Sequence, residues 1–174
     1  MSALDRTPEN TGYLQPSKFL LTFSRIPNTQ YFCQSVNLPG LSTGNATLNT
    51  PFIDIPIASN KISYNPLNIT FNVNGDLKSW MDIHQWMRSF AAPTGFNERN
   101  RLTQQQSTRN TLPNYSDATL TVLSNLNNPI GNFYFYNAFP ISISDIDFDT
   151  KENADTIIVG NASFMFEYYD YKSA

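Results

Sequence analysis

Leu67-Asn68-Ile69-Thr70-Phe71-Asn72-Val73 alternates without a fault: Leu67, Ile69, Phe71 and Val73 share one parity, and Asn68, Thr70 and Asn72 the other. A period of two with one apolar and one polar side describes a strand with one face in a core. The next residues, Asn74-Gly75-Asp76, switch the period. Leu77, Trp80, Ile83, His84, Met87 and Phe90 then recur at helical spacing, with Asp76 the predicted N-cap and Pro93 and Gly95 the stop. This predicts one helix over about residues 76–91, the only convincing one in the chain. Its wide apolar stripe, anchored by Trp80, needs a sheet to lie on.

Strands are predicted on both sides of this unit. Lys18–Ile26 alternates through Phe19, Leu21 and Phe23; Pro27-Asn28 reads as a turn; Tyr31–Val36 is a second strand ended by Leu38-Pro39-Gly40. Leu41–Tyr64 is punctuated by Pro and Asn yet rich in Ile and Phe. Pro51 and Pro56 lack ladder donors, so this stretch is an edge strand or an extended arm. Downstream, Thr119–Ser124 and Asn132–Tyr136 are strands. Asn137–Pro140 is a corner, and a parity shift at Ser144-Asp145 suggests a β-bulge. Ile157–Tyr171 reads as one long final strand with Ile158, Gly160, Ala162, Phe164, Phe166 and Tyr168 on one face. The predicted fold is mainly β: an antiparallel β-sandwich or half-barrel with one flanking helix. It occupies residues 16–174 as one domain behind a polar, flexible arm at 1–15, with a long polar loop at 92–116.

Composition narrows the chemistry. The 174 residues carry a formal net charge of −3, with 14% aromatic and 14% charged residues, one His and one Cys. A single Cys cannot form an internal disulfide, and one His with one Cys cannot build a Cys/His zinc site. A mildly acidic chain is a poor general binder of nucleic acid. No secretory signal or membrane-length apolar run is read, so a cytosolic setting is expected. No phosphate-binding Gly loop, nucleophile elbow or zinc-helix motif is present. The sequence predicts no enzyme, no metal and no cofactor.

The remaining candidates are surfaces. His84, beside Trp80 and Met87, reads as a packed histidine with one hydrogen bond, and Cys33 as a small buried apolar residue. Asp145, Asp147 and Asp149 alternate along one side of a presumed strand. They fit a solvated face, a D-x-D-x-D calcium loop, or an acidic wall that a polyanion slides past. The calcium loop wants Gly and Glu where this chain has Thr150 and Thr156. The loop at 92–116 holds Arg99, Arg101 and Arg109, follows Arg88, and has only Glu98 to offset them. It lacks the interleaved aromatics of a single-strand binding groove and reads as a docking loop for another protein, with simple disorder the close alternative. Tyr134, Tyr136, Tyr168 and Tyr169 would be the platform of a carbohydrate-binding module, but at strand spacing they read more simply as sheet faces.

Several of these pieces, in this order, resemble the tail tube family of contractile-tailed bacteriophages. They are Phe32-Cys33-Gln34-Ser35-Val36-Asn37-Leu38-Pro39-Gly40, Pro51–Ile57, Lys61–Tyr64 with Leu67–Val73, then Asp76-Leu77 leading to Trp80 and Trp86. Ser116-Asp117 through Ala138-Phe139-Pro140 to Phe164–Tyr171 is also similar. The resemblance implies a hexameric ring closed through its sheets, rings stacked into a hollow virion tube with an acidic lumen, and DNA passing through only transiently. It implies assembly in the host cytoplasm, with sheath, baseplate or neck proteins and further copies of the chain as partners, and no membrane. Leu38, Pro39, Gly40 and Leu41, with Phe52, Ile53, Asp54, Ile55, Pro56 and Ile57, are the expected subunit interface. Asp145, Asp147 and Asp149 are the lumen candidates. The Arg-bearing loop departs from a compact tube pattern. It leaves a cap, adaptor or initiator ring as an alternative to the main tube, beside the tube protein of a related injection or secretion system.

Overall fold

The computed structural model describes residues 13–91, 93, 95, 97, 115–151 and 156–173. In chain order the elements are β1 (Phe19–Phe23), α1 (Pro27–Tyr31), β2 (Cys33–Val36), β3 (Leu41–Asn49), β4 (Asp54–Tyr64) and β5 (Leu67–Asn72). Then follow α2 (Lys78–Phe90), β6 (Ser116–Leu123), β7 (Pro129–Ile143), β8 (Val159–Met165) and β9 (Tyr168–Ser173). All pairings are antiparallel.

The spine is a ribbon of β7 against β8 and β9. Its register runs on from Phe139↔Met165 to Tyr136↔Tyr168, with Glu167 N–H donating to the Tyr136 carbonyl at 3.0 Å across the break. The predicted single strand over Ile157–Tyr171 is therefore two strands on one continuous ladder, interrupted at Phe166-Glu167. Core-facing parity holds through Ala162, Phe164 and Phe166, and Tyr168 falls outside it, exposed. The ribbon bends at Asn137, a non-glycine residue at φ 53° that matches the predicted corner. Asn137 is held there by the Asp117 carboxylate, which accepts its N–H at 3.2 Å, and by Glu167, which accepts its side-chain amide at 2.7 Å. Below the bend β6 and β1 extend the sheet from β7; above it β5 and β2 extend it from β8. The result is two four-stranded layers sharing one bent strand and left open.

The core lies between them. Leu67, Ile69, Phe71, Phe135, Phe164, Ile83 and Trp86 are essentially inaccessible. Phe164 meets Phe23 at 5.0 Å and Trp86 at 5.8 Å, so both layers and the helix share one cluster. Gly160 is part of this packing: a Cβ there would come within 2.8 Å of the Phe71 ring.

The helix corrects the sequence reading in three ways. Asp76 is not its cap. It forms an exposed ion pair with Lys78 at 3.1 Å, while the Asn74 side-chain oxygen accepts the Ser79 N–H and hydroxyl, both at 3.1 Å. Leu77 takes the N-cap position at φ 57° with no side-chain cap. The buried line is Ser79, Ile83, Trp86 and Ser89, so the anchor is Trp86 and Trp80 is only half-buried. Two serines sit on that line because hydrogen bonds inside the protein satisfy them: Ser89 donates to the Trp86 carbonyl at 2.6 Å. Finally, α2 has company. Pro27-Asn28 opens the short helix α1 instead of a turn, with Pro at a helix start where its missing donor costs nothing. Buried Thr29 donates to the Ser79 carbonyl at 2.8 Å, tying α1 to α2.

Candidate assembly surfaces

Leu41–Tyr64 is neither a lone edge strand nor an unpaired arm. It folds on itself as the β3–β4 hairpin, whose two strands pair only with each other. Pro56 lies opposite Thr47, acceptable because each strand of a two-stranded sheet is an edge. The turn is closed by Thr50, which exchanges backbone and side-chain bonds with Ile53. Register puts Leu48 opposite Ile55 and Ala46 opposite Ile57, giving one face a run of apolar side chains. Among the described residues nothing covers it: Phe52 is 98% exposed, Ile53 68%, Leu48 52% and Ile57 49%. Asp54, Ile55 and Pro56 are also exposed. Each such Ile is worth about 1.5–3 kcal/mol when fully buried, so the hairpin forgoes a large stabilisation as long as it stands alone.

The other interface candidates lie at the hairpin root. Leu38, Gly40 and Leu41 are exposed. Pro39 is buried, and its carbonyl accepts a 3.4 Å bond from the Tyr169 hydroxyl. Tyr64 packs against Phe166 and Tyr169 at 5.5 and 5.4 Å, so the hairpin leaves the body from a fixed aromatic base.

Asp145, Asp147 and Asp149 do not share one side of a strand. β7 ends at Ile143, and the three aspartates follow in an irregular, exposed segment. The predicted bulge at Ser144-Asp145 lies instead between Pro140 and Ser142. The alternation is real in the sequence, but among the described residues no strand pairs with these positions to fix their orientation. Among the described residues no cluster of three or more His, Cys, Asp or Glu could hold a metal ion. Arg99, Arg101 and Arg109 lie outside the described residues.

The remaining singled-out groups are packing elements. His84 stacks on Trp80 at 5.1 Å and 15°, and its buried Nδ1 has no hydrogen-bond partner among the described residues, so stacking holds this ring. Burial pushes the Cys33 thiol up to about 11, only partly opposed by its bond to the Ser35 carbonyl. Arg25, which the sequence reading passed over, lies 4.9 Å above the Trp86 ring and donates to Ser89 at 3.2 Å; burial lowers it to about 10. Cation–aromatic stacking on a core tryptophan has no sequence signature.

The tyrosines divide between faces. Tyr169 is part of the core margin. Tyr136 and Tyr168 stack on the outward side at 4.7 Å, and Lys172 sits 5.3 Å above Tyr134. Desolvation first, then the charges of Tyr136, Asp170, Glu167 and Asp117, raises Tyr168 above its ordinary value.

Comparison with known proteins gives the family of the chain. The tail tube terminator protein of Enterobacteria phage T4 is 29% identical over 107 residues, covering 61% of this chain. The chain spans about half the length of that curated relative (55%). A chain from the cryo-EM structure of the anti-feeding prophage baseplate, symmetrised six-fold, superposes with a TM-score of 0.61 at 13% identity, covering 94% of this chain and 97% of its own. A chain of the anti-feeding prophage tube-terminating cap gives 0.59 at 13% identity, over the full length of both. At these identities the structural likeness is one of fold. The family model described as phage tail tube protein matches residues 16–172, and the chain belongs to that family.

Proposed function

We propose that this chain is a structural subunit that closes into a hexameric ring at the end of, or within, the tail tube of a contractile particle, and that DNA passes through the ring. The observation that carries this reading is the β3–β4 hairpin: an apolar, self-paired projection that no other described residue covers. An exposed apolar edge is a liability in a monomer and an asset in a closed assembly. A projection that seats on a different surface of the next copy makes a heterologous contact, and such contacts form a ring when the rotation between copies closes. In this reading Leu38–Leu41 and Phe52–Ile57 meet neighbouring subunits. The segment bearing Arg99, Arg101 and Arg109 docks sheath, baseplate or neck proteins. Asp145, Asp147 and Asp149 stand at the rim of the passage, where negative charge discourages phosphate from lingering.

Of the positions along a tube, the terminating one is favoured by a specific observation: the curated relative is a tail tube terminator, and one structural neighbour is a tube-terminating cap. Among the described residues no helix is long and apolar enough to cross a membrane.

Light scattering of the purified chain, with negative-stain microscopy of the same sample, tests the proposal. A six-fold particle with a central opening supports it. A strict monomer at high concentration, absent from purified virions, overturns it.

A further inference from the structure

A groove at one end of the β1–β6–β7 layer is apolar and open. Tyr13 and Leu14, ahead of β1, line it with Leu123, Leu126 and Ile130 around the β6–β7 turn, and it encloses about 590 Å³. No residue lining it is charged. The turn that borders it has a fixed shape. Asn127, at φ 62°, donates its N–H to the Ser124 carbonyl at 2.9 Å, and the Ser124 N–H donates to the Asn128 carbonyl at 2.7 Å. Lys18 braces the turn: its carbonyl accepts the Leu123 N–H at 3.0 Å, and its ammonium donates to the Asn127 side-chain oxygen at 2.7 Å. From this turn of Ser and Asn, Leu126 stands out 81% exposed. A leucine held up by a rigid polar turn marks a contact surface, and the cavity is on the scale of those that enclose a bound group, roughly 300–1,000 Å³.

Resting on the ring reading above, we infer that this groove is the acceptor for the hairpin tip of a neighbouring copy, with Phe52 and Ile53 inside it and Asp54 beside Lys18. Within one chain the two surfaces do not meet, since Phe52 and Leu126 are both exposed. Their chemistry matches piece by piece. The tip offers two uncovered apolar side chains next to one carboxylate; the groove offers an apolar lining next to one ammonium. Register sets Asp54 opposite Asn49, on the hairpin face away from Leu48 and Ile55, so its carboxylate is not carried into the groove with the apolar side chains. A pair with Lys18 at the groove's rim fixes the register of docking more than its strength.

Charge also decides against the other open groove. That one, about 530 Å³ and lined by Ile146, Phe148 and Ile157, carries Asp145, Asp147 and Asp149 as well. Asp54 would enter it against three like charges. Tip and acceptor groove are different surfaces and every copy has both, so the contact repeats from copy to copy as a heterologous assembly requires.

Mixed chains test the assignment. In a Cys33→Ser background, Phe52→Cys protein assembled with Leu126→Cys protein and mildly oxidised should give an interchain disulfide dimer on a denaturing gel, because the two Cα atoms must come within about 7 Å to be bridged. Neither protein alone should do so. Exchange of charge reads the same contact with its apolar side chains intact. Asp54→Lys and Lys18→Glu should each raise the concentration needed for assembly about tenfold by setting like charges together, and the two combined in one chain should restore it. A Phe52→Cys pairing with Phe148→Cys in place of Leu126→Cys, or a charge exchange without rescue, overturns this inference and spares the ring. Leu126→Cys closing onto Ala3→Cys of its own chain, in place of Phe52→Cys, gives the groove to the chain's first residues and also overturns it. Absence of any assembly by the unmodified chain overturns the ring reading and this inference together.

Discussion

The two-layered body and the β3–β4 hairpin use similar residues to opposite ends. In the body, Phe71, Phe164 and Trp86 are fully enclosed and the polar groups beside them are bonded. In the hairpin, Ile55, Ile57 and Phe52 are as apolar, and among the described residues nothing covers them. The body is stabilised by what it encloses. The hairpin gains no comparable stabilisation from any described residue of the chain. Substitutions in the two regions should therefore separate, one set acting on folding and the other on association.

The largest effect on folding is expected at Trp86, which joins α2 to Phe164 and lies under Arg25. Trp86→Ala should cost about 3–5 kcal/mol, read as a lower midpoint in urea. Gly160→Ala comes next. Its added methyl must displace the Phe71 ring from 2.8 Å, a change expected to cost about 1–3 kcal/mol. Leu77→Gly runs the other way. Leu77 is 38% exposed and held at φ 57°, so relieving its backbone should leave stability unchanged or raise it by up to about 1 kcal/mol. The smallest effect on folding is expected in the hairpin: Ile55→Asp with Ile57→Asp should shift the monomer midpoint by no more than about 0.5 kcal/mol. A large loss of monomer stability in this last variant would erase the contrast between the two regions.

Cys33 offers a check of the body at the level of a single group. Its thiol, pushed up to about 11 against an ordinary 9.0, should alkylate slowly near pH 8 in the folded chain and at the usual rate once unfolded. The sign follows from linkage. Between pH 9 and 11 the unfolded thiol ionises while the folded one holds its proton, so the stabilisation from this group is full below pH 9 and is lost as pH rises toward 11.

Much of the body was legible in the sequence because one side of each strand enters a core, and that leaves alternation behind. Leu67, Ile69 and Phe71 in β5 and Ala162, Phe164 and Phe166 along the final ladder fall where their parity put them. The helix anchor escapes the sequence because a hydropathy stripe sees Trp80 and Met87, whereas the buried line runs through Ser79 and Ser89, acceptable only through hydrogen bonds a stripe cannot express. The hairpin was harder. Its apolar residues are sorted to one face only by the register of β3 against β4, which leaves no periodic mark in a Pro-punctuated stretch, so the sequence reads as an edge strand or an extended arm. The aspartates at 145, 147 and 149 show the reverse error: alternation without a paired strand carries no orientation.

The most direct test of this division is the solution mass of the chain beside that of its Ile55→Asp/Ile57→Asp variant, measured by sedimentation across a wide concentration range. The unmodified chain should reach six times the protomer mass and the variant should remain a folded monomer. Equal masses for the two folded proteins would contradict the account.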